Sequence, residues 1–217
     1  MSQATAPKVS VLGDGISTFE GYTPRLGSWY SPSYISYSGF GTAEETWWML
    51  VTQKIGGTFL KNNSFSGSHV SYAGHYAAVL PGRIRGLATE EESPDIVLIY
   101  TGINDVVHDI ELDKFRRDYL DMLQKVQKFH PGVQVWAGTL VLGQNPNNRL
   151  PYATPESLAN LEDYNEIIRD CVKEAGCHLV DLAAQNFTYD SVNGVHPTKE
   201  GMVTFANAWV ETIKKDL

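Results

Sequence analysis

Five consecutive apolar residues, Ile96-Val97-Leu98-Ile99-Tyr100, constrain this chain more than any other stretch. A strand with one wet face alternates apolar and polar side chains. A short unbroken apolar run is a strand buried on both faces, the usual state in a parallel sheet. Four further strands fit around it: Val9-Ser10-Val11-Leu12 ended by Gly13, residues 58–62, residues 133–140, and His178-Leu179-Val180. Helical patterns separate them. Residues 42–55 open on Thr42 with Glu45 three places on, the spacing of a capping box, and stop at Gly56-Gly57. Residues 72–87 read as a helix interrupted by Pro81-Gly82. Residues 113–130 carry Phe115, Tyr119, Met122, Val126 and Phe129 at helical spacing. Thr154-Pro155 opens a helix that turns Leu158, Leu161, Ile168 and Val172 inward and ends at Gly176; residues 198–215 place Met202, Phe205, Trp209 and Ile213 on one face. Strands alternating with helices predict a three-layer α/β/α domain around a five-stranded parallel sheet. In such folds the working residues collect in loops beyond the carboxyl ends of the strands.

The 217 residues suit one domain, 1–217. Against 17 basic side chains stand 25 acidic ones, a net charge of −8, which argues against binding nucleic acid or an anionic membrane. No apolar run approaches the roughly 20 residues of a membrane span. Residues 1–7 are short and polar, without the basic start and apolar stretch of a secretion signal, so a cytoplasmic location is the expectation. Cys171 and Cys177 have no partner cluster and read as ordinary thiols.

Four polar motifs fall at the expected strand ends. Gly13-Asp14-Gly15-Ile16-Ser17 follows the first strand, and Asn63-Ser64-Phe65-Ser66-Gly67-Ser68 follows the second. Gly102-Ile103-Asn104-Asp105 follows the third, and Asn193-Gly194-Val195-His196-Pro197 lies beyond the fifth. This order resembles the SGNH, or GDSL-type, hydrolases, over essentially the whole chain. The resemblance implies a flavodoxin-like sheet and an ancestry among esterases, lipases, carbohydrate deacetylases and thioesterases; neither a cofactor nor a metal is expected. It places Gly67 and Asn104 in the oxyanion hole together with the backbone N–H of Gly15, and makes His196 the general base.

Two positions depart from the family pattern. Gly15 stands where the resemblance implies the nucleophilic serine, and Asn193 stands where it implies the triad aspartate. Ser17 corresponds to a second family serine and is a poor substitute nucleophile. In serine proteases, loss of the nucleophile costs about 10⁶ in turnover, and replacing the aspartate by asparagine costs about 10⁴ through the wrong histidine tautomer. An ordinary acyl-enzyme route is therefore closed at Gly15. Three readings stay open: a nucleophile-knockout variant of an esterase or deacetylase; a divergent enzyme that uses His196, Asn193 and the oxyanion groups for non-covalent chemistry (a lyase, a cyclisation or direct attack by water); and a catalytically dead ligand-binding protein. In each, the partner is a small molecule such as an ester, an acylated sugar or a natural-product-like compound.

The 24 aromatic side chains are unevenly spread, with nine between Phe19 and Trp48 where a uniform distribution would place about three. Residues 19–41 form an aromatic-rich insert too long for an ordinary connection, and the expectation is a pocket cover in which Tyr22, Trp29, Tyr30, Tyr34 and Tyr37 bind substrate. A homodimer contact or a minor core is the other reading of this segment. Asp14 either binds substrate or bonds loop amides. His69 and His108 flank the glycine and asparagine motifs and are candidates for the pocket rim. Asp190 is a candidate replacement for the missing carboxylate behind His196. His69, His75 and His178 share no metal-ligand spacing with nearby carboxylates.

Overall fold

The computed structural model describes residues 5–24, 27–31, 41–72, 76–144 and 158–216. Five parallel strands form one sheet in the order β2-β1-β3-β4-β5, where β1 is Lys8–Gly13, β2 Thr58–Asn62, β3 Ile96–Tyr100, β4 Gln134–Gly138 and β5 His178–Val180. All five residues of β3 are buried, so both faces of the sheet centre are covered. Pairing runs in register from Val9↔Ile96 to Gly13↔Tyr100. The chain steps from β1 outward to β2 and then returns to β3 on the other side of β1, which makes the carboxyl ends of β1 and β3 the point where the strand order reverses. Loops leaving those two ends diverge and leave a crevice between them.

The helices are α1 (Trp47–Lys54), α2 (Pro81–Arg85), α3 (Ile103–Val107), α4 (Leu112–Phe129), α5 (Leu161–Glu174) and α6 (Lys199–Asp216). Helix α1 packs on α6, and α4 packs on α5 and α2. Trp47 lies 4.8 Å from Trp209 and 5.4 Å from Phe205, ring centre to ring centre, and all three are fully buried against Tyr100 of β3. On the other helix pair, the Phe115 and Tyr164 rings meet edge to face at 4.8 Å. None of the described helices is long and apolar enough to cross a membrane.

The elements expected over residues 42–55 and 72–87 differ in detail. The capping box at Thr42 does not form: residues Ala43–Glu45 make a tight 3₁₀ turn, and α1 begins only at Trp47, with Thr46 as its N-cap. Glu45 is drawn elsewhere, accepting from the backbone N–H of Gly41 at 2.9 Å and pairing with Lys199 at 2.7 Å. The stretch 72–87 contains only the short α2, because Leu80, which precedes a proline, is held extended and Pro81 can only start a helix. The Thr154-Pro155 helix start lies outside the described residues. Trp47 and Trp48, counted within the aromatic excess near the amino terminus, belong to the core.

Candidate active site

The loop after β1 turns at once. The Asp14 carboxylate accepts from the N–H of Ile16 at 3.1 Å, capping a 3₁₀ turn over Gly15–Ser17. This turn presents Gly15 at the crevice. Ser17 is fully buried, its Oγ accepting from the indole N–H of Trp47 at 3.3 Å, so it points into the core and away from the crevice. Thr18 continues the same turn. Its hydroxyl donates to the Gly15 carbonyl and accepts from the Trp29 N–H, both at 2.8 Å, and so ties the aromatic segment to the turn.

Opposite stands the loop after β2. Gly67 has φ +75°, a left-handed conformation that glycine adopts without strain. Arg83 is almost fully buried beneath this loop. Its guanidinium donates to the carbonyls of Gly13 (3.1 Å), Asn63 (2.9 Å) and Tyr76 and to the Ser68 hydroxyl (3.0 Å), which fastens the loops after β1 and β2 to one another. No sequence motif marks this role for Arg83. In the first turn of α3, Asn104 Nδ2 donates to the Ser68 carbonyl at 2.8 Å. The next residue, Asp105, accepts from the N–H groups of Val70 (2.7 Å) and Ser71 (3.1 Å). The second and third motifs are thus bound together by two adjacent side chains.

His196 enters from the loop before α6. Its Nδ1 lies 3.1 Å from Oδ1 of Asn193, and the same oxygen accepts from the backbone N–H groups of His196 (2.9 Å) and Val195 (3.3 Å). Two backbone donors settle that oxygen, not nitrogen, faces the ring, and Nδ1 therefore carries the hydrogen. The lone pair is left at Nε2. An asparagine here enforces the useful tautomer, where asparagine in a serine protease favours the wrong one. Asp190 is exposed, and the residue facing Nδ1 is Asn193.

Nε2 points at Gly15. A Cβ built on Gly15 would lie 2.7 Å from it and 3.3 Å from the Ser66 hydroxyl, so the imidazole reaches into the space of a side chain at this position. Trp29 stacks on the other face of the ring at 3.8 Å and 10°, and Tyr30 meets it edge-on while its hydroxyl donates to the Pro197 carbonyl at 2.8 Å. Enclosure pushes the imidazole down to about 3, so the ring is neutral at any ordinary pH. Burial raises Asp14 instead, to about 7, with repulsion from Asp105 adding to the effect. One oxygen of Asp14 has its Ile16 partner, while the other is buried without one among the described residues.

These groups surround a cavity of about 90 Å³ lined by Gly15, Gly67, Asn104 and His196, together with Asp14, Trp29 and Ser66. The structure therefore brings together the residues that the four motifs nominate. It puts others elsewhere. Tyr22 packs on Trp48 and Phe59, at 6.0 and 5.8 Å, rather than on the cavity. His69 and His108 face each other, Nε2 to Nδ1 at 3.1 Å, outside the cavity lining. Tyr34, Tyr37 and His75 lie outside the described residues. Ser66 lines the cavity without having been singled out within its motif. Among the described residues, no cluster of three or more His, Cys, Asp or Glu side chains is placed to hold a metal ion.

The profile of the GDSL-like lipase/acylhydrolase family matches residues 7–213. This chain belongs to that family. Solved structures agree on the fold. A candidate GDSL-like lipase from Bacteroides ovatus aligns over 98% of this chain and 100% of its own, with 21% identity and a TM-score of 0.76. A second, from Bacteroides uniformis, aligns over 97% and 96%, with 23% identity and a TM-score of 0.74. The esterase EstA from Pseudoalteromonas sp., solved inhibited by monoethylphosphonate, aligns over 96% and 97%, with 18% identity and a TM-score of 0.60. No curated protein matches the chain in sequence.

Proposed function

We propose that the protein hydrolyses a short-chain ester or thioester by direct attack of water, without an acyl-enzyme. The observation that carries this reading is the lone pair of His196 Nε2, aimed into the space over Gly15 by the Asn193 oxygen behind it. A water there gives one proton to Nε2 as its oxygen bonds to the acyl carbon. The carbonyl electron pair moves onto oxygen, where the N–H groups of Gly15 and Gly67 and the Asn104 amide stabilise the charge. Collapse expels the alkoxide or thiolate, which takes the proton from Nε2, and the products are a carboxylic acid and an alcohol or thiol. The cavity volume suits an acetyl-sized acyl group. Trp29 acts as its cover.

The low basicity of His196 sets the expected speed. A base near 3 is always in the right protonation state but has little driving force to take a proton. Behind the imidazolium stands the neutral Asn193 amide oxygen in place of a carboxylate, so turnover is slow compared with a carboxylate-backed triad. The same low basicity favours a second reading, capture of an acylated ligand without turnover.

Hydrolysis of p-nitrophenyl acetate by the wild type and by His196→Gln separates the two. General-base catalysis by His196 predicts a loss of about 100-fold or more in kcat with KM little changed. Wild-type and variant rates that coincide would leave ligand capture as the function.

A further inference from the structure

The cavity offers a second polar group beside His196 that neither the motifs nor the family resemblance assigns. Ser66 sits one residue before Gly67, its backbone N–H donating to the Gly27 carbonyl at 2.7 Å, and its side chain is half-buried. The loop's other serines are differently placed. Ser68 Oγ contacts the Tyr76 carbonyl at 2.9 Å and accepts from Arg83, and Ser64 is fully buried. The Ser66 hydroxyl has no hydrogen-bond partner among the described residues and lines the cavity.

Its distance from Gly15 gives it meaning. The point where a Gly15 Cβ would stand is 3.3 Å from Ser66 Oγ and 2.7 Å from His196 Nε2. The two atoms are therefore no more than about 6 Å apart, and a separation near 5 Å lets one water donate to both. Gly15 is what keeps that span open, since any larger residue would put carbon between them.

We propose that Ser66 is a catalytic residue that holds the attacking water jointly with His196. The inference rests on the water-attack reading above. One water proton points at Nε2 and leaves to it during attack. The other points at Ser66 Oγ and stays on the attacking oxygen, which becomes the hydroxyl of the product acid. Two fixed partners direct a lone pair of the water toward the acyl carbon, a positioning that a single histidine contact leaves free to rotate.

Crystal structures of the wild type and of Ser66→Ala, at a resolution that shows ordered water, test the geometry without requiring turnover. The expected result is a water within about 3.2 Å of both Nε2 and Ser66 Oγ in the wild type and its loss or displacement in Ser66→Ala. Steady-state hydrolysis of p-nitrophenyl acetate should show kcat reduced about 10- to 100-fold in Ser66→Ala, with KM within twofold and the melting temperature unchanged. The inference is overturned by a wild-type crystal without that water, by a Ser66→Ala kcat equal to the wild type, or by an acetyl group found on Ser66 by peptide mass spectrometry during turnover. That last result would make Ser66 itself the nucleophile. Failure of the underlying reading is seen separately, as equal rates in wild type and His196→Gln, and would remove the inference with it.

Discussion

Two side chains of opposite character face the same cavity, and burial acts on each in the direction its charge dictates. His196 is held neutral, its ordinary 6.5 pushed down to about 3, while Asp14 is pushed from 3.8 up to about 7. Each leaves a slope in stability against pH. The folded chain holds the Asp14 proton more tightly than the unfolded chain, so stability is lost as pH rises from about 4 through about 7. The folded chain resists the His196 proton, so stability is lost as pH falls from about 6.5 to about 3. The slopes oppose one another between about pH 4 and 6.5. Asp14→Asn keeps the carbonyl that caps Ile16 and removes only the titration. The variant should gain on the wild type by up to about 4 kcal/mol between pH 4 and pH 8, measured by urea unfolding at both. An unchanged difference at the two pH values would show that Asp14 does not titrate in that window.

At the scale of elements, the site is a junction of loops held by side chains from neighbouring segments. Arg83 fastens the loops after β1 and β2, Asn104 and Asp105 fasten the loop after β2 to α3, and Tyr30 fastens the aromatic segment to the loop before α6. Trp29 belongs to this set, since its ring covers the imidazole. Trp29→Ala should let water reach His196 and raise its pKa by more than one unit toward 6.5, followed by NMR titration of the ring protons, with about 1 kcal/mol of stability lost with the stack. A pKa that stays in place would show that Trp29 is not what excludes water. The strands and the longer helices were legible in the sequence because burial leaves periodic traces: the apolar run of β3 and the helical spacing of α4 and α6. The four motifs were legible because each follows a strand end. Arg83 and Ser66 left no such trace, since a single long-range bond or a single hydroxyl has no period. The capping box at Thr42 misled because Glu45 found Lys199, about 150 residues away, a contact that no local pattern records.

For the molecule as a whole, the parallel sheet turns four separate segments into one site. The strand order reverses at β1, which opens the crevice, and the ends of β1, β2 and β3 and the loop before α6 each deliver a motif to it. The negative net charge gives no attraction for anionic substrates, in keeping with a neutral ester. Gly15 stands where the resemblance read from the sequence motifs implies a serine. Here Gly15, Gly67, Asn104 and His196 line a cavity of about 90 Å³, and in the proposed reaction the attacking oxygen lies within it. Gly15→Ala tests this most directly, because the added methyl group would stand 2.7 Å from Nε2, crowding the space in which that oxygen would sit, and removes no functional group. With the variant's fold verified by circular dichroism, its kcat for p-nitrophenyl acetate should fall about 100-fold below the wild type. A rate within twofold of the wild type would contradict the water-attack reading.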